Sequence, residues 1–107
     1  MNLPPVIPRY IEASNAHDVE AIVDCFADDA VVRDENAIQQ GKIEIRRWAM
    51  ETIEKYKFQF KPLSVDERDA KTILSIEVSG SFPGSPIRLD YHFTIANDKI
   101  QSLIIDS

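Results

Sequence analysis

The chain contains little cysteine, little glycine and little histidine. Its 107 residues include one cysteine, Cys25, three glycines and two histidines, His17 and His92. A lone cysteine cannot form an intrachain disulfide, and without a CxxC motif or a close Cys/His cluster there is no zinc signature. We therefore expect a protein of the reducing cytoplasm that holds no metal and no other cofactor, with Cys25 buried as a small apolar side chain.

Basic side chains are also scarce, and the chain has no long apolar run. Twelve Lys and Arg residues stand against 18 Asp and Glu residues, which gives a formal net charge of −6. This charge repels phosphate backbones and anionic lipid. No uninterrupted apolar run exceeds three residues, and residues 1–8 lack a basic stretch followed by an apolar one. We expect no nucleic-acid partner, no membrane partner and no export.

The first half of the chain has the apolar spacing of helices, within a length that suits one domain over residues 1–107. The spacing predicts a helix from about Pro8 to Ser14, a second helix capped by Asp18, and a long third helix after Gly41. The apolar stripe of the second helix is Val19, Ile22, Val23 and Phe26, and that helix is predicted to end at Asp28-Asp29. The stripe of the third helix, which also includes one threonine, is Ile45, Trp48, Ala49, Thr52, Ile53 and Tyr56. The same half contains a predicted strand from Ala30 to Asp34 and a polar loop from Glu35 to Gln40.

After Tyr56 the apolar period changes from 3.6 to 2, which is typical of strands. Four strands are predicted around Phe58 and Phe60, Leu74 to Val78, Ile87 to Ile95, and Leu103 and Ile105. Turn residues predict hairpin connections at about Asp66 to Lys71, at Pro83 to Pro86, and at Asn97-Asp98. This order predicts an α+β architecture in which three helices pack against one face of a curved antiparallel sheet and leave a cavity.

Several stretches of the first half resemble a known family. They are Pro8 to Glu12, His17 to Val23 and Phe26 to Asp34, followed by Gly41, Ile45 and Trp48. They are similar to the nuclear transport factor 2-like superfamily, and within that cone-shaped fold to the SnoaL-like polyketide cyclases and the ketosteroid isomerases. The resemblance covers nearly the whole chain. Because this fold hosts enzymes, binding modules and assembly domains, the fold alone leaves the function open.

The resemblance to ketosteroid isomerases implies three catalytic residues. Tyr10 lies where they place an oxyanion donor, and Asp34 lies where they place the carboxylate base. The second donor is Asp90 if the last hairpin is aligned without a gap, or Tyr91 if the register slips by one residue, because a slip moves every side chain to the opposite face. The positions of the supporting tyrosines are occupied by Phe26 and Ala49, so the hydrogen-bond relay of those enzymes is missing.

Each candidate residue also has a purely structural interpretation. Asp34 is a turn former, and Tyr10 is a core-edge residue with its hydroxyl at the rim. Trp48 is either core packing or an apolar pocket wall. His92 is a pocket group or part of the exposed face that it shares with Asp90. We expect the substrate pocket to comprise Trp48, Phe26, Tyr91 and His92.

These observations predict a pocket for a hydrophobic, carbonyl-bearing small molecule. The expected activity is cofactor-free proton transfer next to the carbonyl, as in an isomerase or a cyclase. The alternatives are a non-catalytic ligand-binding or dimerisation module of the same fold, and a subunit-assembly domain. Apolar residues on both faces of the predicted sheet, such as Ile73 and Leu74, lead us to expect a homodimer formed through the outer sheet face.

Overall fold

The predicted α+β class is confirmed in a computed structural model, which describes residues 3–107. Three helices pack on one six-stranded mixed sheet. In chain order the elements are α1 (Val6–Asn15), α2 (Val19–Asp24), β1 (Phe26–Asp34), β2 (Ala37–Gln40), α3 (Gly41–Tyr56), β3 (Gln59–Arg68), β4 (Lys71–Ser79), β5 (Ile87–Ala96) and β6 (Lys99–Asp106). Within residues 3–107, no helix is both long and apolar enough to cross a membrane.

The strands lie in the order β2-β1-β6-β5-β4-β3, and one neighbouring pair is parallel. β1 runs parallel to β6, whereas every other pair is antiparallel. The expectation of a wholly antiparallel sheet is therefore wrong at this one junction. Parallel neighbours need a long crossover connection, and the chain between β1 and β6 supplies one that includes α3.

The second helix ends earlier than the apolar spacing predicts, and Phe26 belongs to a strand. α2 ends at Asp24, and Asp18 caps it as expected, its Oδ1 accepting a hydrogen bond from the Ala21 amide at 3.1 Å. Phe26 is four residues after Ile22, but it also shares a two-residue period with Ala30. Phe26 pairs with Ile100 of β6, so it belongs to strand β1 and not to α2, and it is fully buried there.

The stretch predicted as a polar loop before α3 is a hairpin. Glu35 and Asn36 both have positive φ, 52° and 63°, and they connect β1 to β2 as a two-residue turn. The hairpin at Asn97-Asp98 is confirmed, with φ of 53° and 61° at the two residues. The connection predicted at 66–71 is confirmed too, and it narrows to the turn between Arg68 and Lys71.

The helices cover the concave face of the sheet and enclose the core. α1 is tied to β3 by Asn15, whose Oδ1 accepts from the Phe60 amide at 2.7 Å and whose Nδ2 donates to the Phe60 carbonyl at 3.0 Å. Fully buried side chains from every layer meet between helices and sheet: Val6, Ile7, Phe26, Ala30, Val32, Ile45, Ile76, Phe93, Ile100 and Leu103. Toward the open end of this core the side chains separate and leave a cavity.

Candidate active site

A cavity of about 380 Å³ opens between the helices and the concave sheet face. This volume lies within the range of about 300–1,000 Å³ that is typical of small-molecule sites. Its lining is mostly aromatic and aliphatic: Tyr10, Ser14, Ile22, Asp34, Glu35, Trp48, Ala49, Thr52, Tyr56, Phe58, Phe60, Val78, Phe82, Ile87, Leu89, Tyr91, Ile105, Asp106 and Ser107. A mainly apolar cavity with a few polar groups is the arrangement expected of a binding site.

Asp34 brings a carboxylate to the cavity from the end of β1. The side chain is half-buried, and its Oδ2 accepts a hydrogen bond from Trp48 Nε1 at 3.1 Å. Burial raises the pKa of Asp34 above its ordinary value, and the negative charge of Glu35 raises it further. Hydrogen bonds from Trp48 and from the Glu35 backbone lower the pKa in part. Asp34 is therefore a stronger base than a solvated carboxylate, even though two hydrogen bonds stabilise its ionised form.

Two buried tyrosines face the same cavity, Tyr10 from α1 and Tyr91 from β5. They are 2% and 4% exposed, and burial is the largest cause that raises both pKa values above the ordinary phenol value. The negative charge of Asp34 makes a smaller contribution that also raises both pKa values. Both hydroxyls are therefore protonated at neutral pH and available as hydrogen-bond donors.

Aromatic packing fixes the two tyrosine rings. The Tyr10 ring meets Phe26 and Phe93 edge to face, with centroid separations of 5.8 and 5.7 Å. The Tyr91 ring meets Phe60 edge to face at 5.4 Å. Phe26 was expected to line the pocket, and this is corrected: it is fully buried in the core against Tyr10 and is outside the cavity lining. Phe26 therefore supports a cavity residue without reaching the cavity.

The register of β5 resolves the choice between Asp90 and Tyr91. Tyr91 pairs with Leu74 and Ile105, and it lies on the concave face. Asp90 is outside the cavity lining, and its Oδ1 accepts a hydrogen bond from Ser75 Oγ at 2.8 Å. The expectation that Asp90 is the second donor is corrected, since successive strand residues point to opposite faces.

His92 was expected in the pocket, and the structure places it elsewhere. It shares the outer face with Asp90, and its Nε2 lies 3.0 Å from Asp106 Oδ1. Asp106 belongs to the cavity lining, but its carboxylate oxygen is directed to His92. Trp48 lines the cavity as expected and also hydrogen-bonds to Asp34, which helical periodicity alone did not indicate.

Sequence reasoning missed a group of residues at the cavity mouth. The Tyr56 hydroxyl donates a hydrogen bond to the Glu35 carboxylate, and the Tyr56 ring packs edge to face against Phe82 at 5.7 Å. Phe82 reaches this place because the Ser81 amide donates to the Tyr56 carbonyl at 2.7 Å. Gly80 permits this close approach, since a Cβ there would collide with the same carbonyl oxygen. Tyr56 was visible as part of the α3 stripe, whereas Phe82 lies in a loop with no periodic signal.

A buried hydroxyl beside Tyr10 was also missed. Ser14, one turn later on α1, is 1% exposed, lines the cavity and lowers the pKa of Tyr10 through a side-chain hydrogen bond. Ser14 is therefore a polar neighbour of the Tyr10 hydroxyl inside the cavity. Across residues 3–107, no cluster of three or more His, Cys, Asp and Glu side chains is arranged to hold a metal ion.

The fold and the sequence together identify the family. Residues 7–103 match the profile of the SnoaL-like domain, so the chain belongs to the SnoaL-like domain family. No curated protein matches the chain significantly.

Solved structures show the same architecture. A Sinorhizobium meliloti protein named as a candidate polyketide cyclase is 38% identical, with a TM-score of 0.93 over 97% of this chain and 95% of its own. A Catenulispora acidiphila protein with a ketosteroid isomerase-like fold, solved in complex with trimethylamine, has a TM-score of 0.85 at 15% identity, covering 99% and 87% of the two chains.

A third structure is the epoxide hydrolase/cyclase-like enzyme SalBIII, described in pyran ring formation in the polyether salinomycin. It has a TM-score of 0.80 at 17% identity, covering 95% of this chain and 87% of its own. At such low identity, this enzyme and the Catenulispora protein share the fold alone. The nuclear transport factor 2-like and ketosteroid isomerase-like architecture that the sequence indicated is thereby confirmed.

Proposed function

We propose that the protein catalyses proton transfer at a carbon next to the carbonyl of a hydrophobic small molecule, without a cofactor, as an isomerase or a cyclase. One observation carries this proposal. A half-buried carboxylate with a raised pKa, Asp34, shares an apolar cavity with two buried, protonated tyrosines, Tyr10 and Tyr91. A base and oxyanion donors around one apolar volume are what this chemistry requires.

The first step moves one proton and one negative charge. Asp34 takes a proton from the carbon next to the carbonyl, and the C–H bonding pair forms the C=C bond of the enolate while the negative charge moves to oxygen. Tyr10 and Tyr91 donate hydrogen bonds to that oxygen. Asp34 becomes neutral as the enolate oxygen becomes negative, so the net charge in the cavity does not change. Burial, which raises the pKa of Asp34, narrows the gap to the weakly acidic carbon.

The second step distinguishes the two reaction classes. In an isomerase, protonated Asp34 returns the proton to a carbon further along the conjugated system. In a cyclase, the enolate carbon attacks a second carbonyl of the same molecule, and Asp34 gives its proton to the new alkoxide. The isomerase reaction and the cyclase reaction both need the same three side chains, Asp34, Tyr10 and Tyr91. The 38% identical relative named as a candidate polyketide cyclase supports the cyclase version.

Conversion of cyclohex-3-enone to its conjugated isomer tests this function by ultraviolet absorbance. A β,γ-unsaturated ketosteroid serves as a second, larger substrate. We expect the Asp34→Asn variant to lose about 10²–10⁴-fold in rate, the usual contribution of a positioned general base. Asp90→Asn is the matched control, because Asp90 lies outside the cavity lining. Wild-type protein that does not exceed the buffer rate with either ketone would count against the isomerase version.

The second candidate is a ligand-binding module of the same fold. It is favoured by Phe26 and Ala49, which leave Tyr10 without the tyrosine relay of the ketosteroid isomerases. Trp48 lines the cavity and is the only tryptophan, so its fluorescence reports binding directly. Binding of ketones that is equal in wild type and Asp34→Asn, with no turnover in either, would favour this alternative.

We further propose a homodimer in which a second copy covers the outer sheet face. Ile73, His92 and Ile104 lie side by side on that face through the pairing of β4, β5 and β6, and all three are half-buried. Light scattering at tens of micromolar should return about twice the chain mass of 12.2 kDa. A monomer mass would contradict this assembly. With one buried cysteine, Cys25, we propose a cytoplasmic location.

A further inference from the structure

The mouth of the cavity carries a group of residues that the proposed proton transfer does not use. Glu35, Tyr56 and Phe82 form this mouth cluster. We propose that the mouth cluster binds a substituted ammonium group on the substrate, so that the substrate is a cationic, hydrophobic ketone. This inference rests on the proposed function, because it places the carbonyl of the same molecule near Asp34.

The charges that face the cavity are negative. Asp34 and Glu35 both line it, and no lysine or arginine is among its lining residues in the described part of the chain. The third acidic residue of the lining, Asp106, directs its carboxylate to His92. Bringing an anionic ligand into this apolar space would place like charges together in a low dielectric, whereas a cation is attracted.

The aromatic rings at the mouth suit an ammonium group. Tyr56 and Phe82 pack edge to face at 5.7 Å, beside the carboxylate of Glu35. Aromatic faces attract cations through their quadrupole, and substituted ammonium ions are the ligands that aromatic cages commonly bind. The Tyr56 hydroxyl donates to Glu35, so the ring and the carboxylate are held together as one unit.

The chain's own ammonium group already lies over one of these rings. Lys55 Nζ is 5.0 Å from the centroid of Tyr56. Lys55 is exposed and outside the cavity lining. Its charge is better hydrated than that of a methylated ammonium, which loses little water on entering the mouth cluster. A substrate cation in the cavity and the Lys55 ammonium would both be attracted to the Tyr56 ring, and they would repel each other.

Three phenyl ketones that differ in charge test this inference by isothermal titration calorimetry at low ionic strength. They are phenacyltrimethylammonium, its uncharged isostere 3,3-dimethyl-1-phenylbutan-1-one, and the anion 3-benzoylpropionate. We expect the cation to bind about five- to tenfold more tightly than the isostere, and the anion to bind least tightly. Glu35→Gln should bring cation and isostere within about twofold of each other while the isostere affinity stays unchanged.

Two further variants separate a local effect from a general charge effect. Glu51→Gln removes the same charge from an exposed position of α3 outside the cavity, and it should keep the preference for the cation. Lys55→Met should strengthen binding of the cation and leave the isostere unaffected, since it removes the competing ammonium. If the site instead binds an anion that pairs with Lys55, Lys55→Met should weaken binding of 3-benzoylpropionate, and this result would contradict the proposal.

Equal binding of the cation and its isostere would overturn this inference. It would equally be overturned by tightest binding of the anion, by a preference that survives Glu35→Gln, or by no saturable binding of any of the three ketones. The preference is measured without turnover, so it is independent of the enone assay. A charge preference without turnover of either unsaturated ketone of the absorbance assay removes the proposed proton transfer and leaves the cation site. Turnover of one of those unsaturated ketones without a charge preference among the phenyl ketones does the reverse.

Discussion

The hydrogen bond from Trp48 to Asp34 links the stability of the fold to the chemistry of the cavity. Trp48→Phe keeps an aromatic ring in the wall and removes the Nε1–H that lies 3.1 Å from Asp34 Oδ2. Hydrogen bonds to charged groups contribute about 1.5–3 kcal/mol to stability. Asp34 is only half-buried, and water can replace part of the lost bond, so we expect about 1 kcal/mol at neutral pH.

A double-mutant cycle isolates that free energy from the packing change. Trp48→Phe, Asp34→Ala and the double variant should give a coupling free energy of about 1 kcal/mol, measured by denaturant or thermal unfolding. With an unfolding entropy of about 2.1 cal/mol/K per residue, 1 kcal/mol corresponds to a Tm change of about 4 °C for this chain. Circular dichroism is the required probe, because Trp48 is the only tryptophan.

The same substitution has a predicted effect on catalysis. The Trp48 hydrogen bond lowers the pKa of Asp34, so its removal should raise that pKa further. Asp34 acts as a base only when ionised, and activity therefore declines as the pH falls through its pKa. The acid limb of kcat/KM against pH should move to higher pH in Trp48→Phe. Thr52→Val is the control within the same cavity, because the Thr52 hydroxyl donates to the Trp48 and Ala49 carbonyls and makes no hydrogen bond to Asp34.

Two results would refute this reasoning. A coupling free energy below about 0.3 kcal/mol would mean that the hydrogen bond contributes nothing beyond what water supplies, since values of this size are within ordinary additivity. An acid limb that stays in place, or moves to lower pH, would mean that the titrating base is a different group from the carboxylate beside Trp48.

Three further substitutions test the fold and the electrostatics. Asn15→Ala removes both hydrogen bonds to Phe60, at about 1 kcal/mol each, and should lower Tm by about 9 °C in a thermal scan; an unchanged Tm would show that α1 is held by apolar packing alone. Phe93→Ala empties a fully buried site and should cost about 3–5 kcal/mol in urea unfolding, so a loss under about 1 kcal/mol would contradict its central place in the core. Asp34→Asn should stabilise the protein at neutral pH. Burial raises the pKa of Asp34 in the folded state, so the fold is favoured when Asp34 is protonated, and that advantage is lost as the pH rises through the raised pKa. The gain should disappear in acid, and a gain that is constant with pH would point to packing instead.

The cavity depended on contacts that no local pattern shows. Trp48 was predictable as a wall residue, because it lies on the apolar stripe of α3. Its hydrogen bond to Asp34, which is 14 residues earlier in the chain, forms only when α3 packs against β1. Phe82 was not predictable as a mouth residue, because it lies in an irregular loop whose path depends on the contact between Ser81 and Tyr56.

Local physics determined much of this protein from its sequence alone. Apolar periods of 3.6 and 2 predicted the helices and most strands, Asp18 predicted the start of α2, and Asn97-Asp98 predicted a hairpin, because each depends on neighbouring residues only. The tertiary structure decided the rest. A period of two is unchanged by a shift of one residue, so only pairing with β4 and β6 could turn Tyr91 into the cavity and Asp90 away from it. The same long-range pairing made Phe26 a strand residue and β1 parallel to β6.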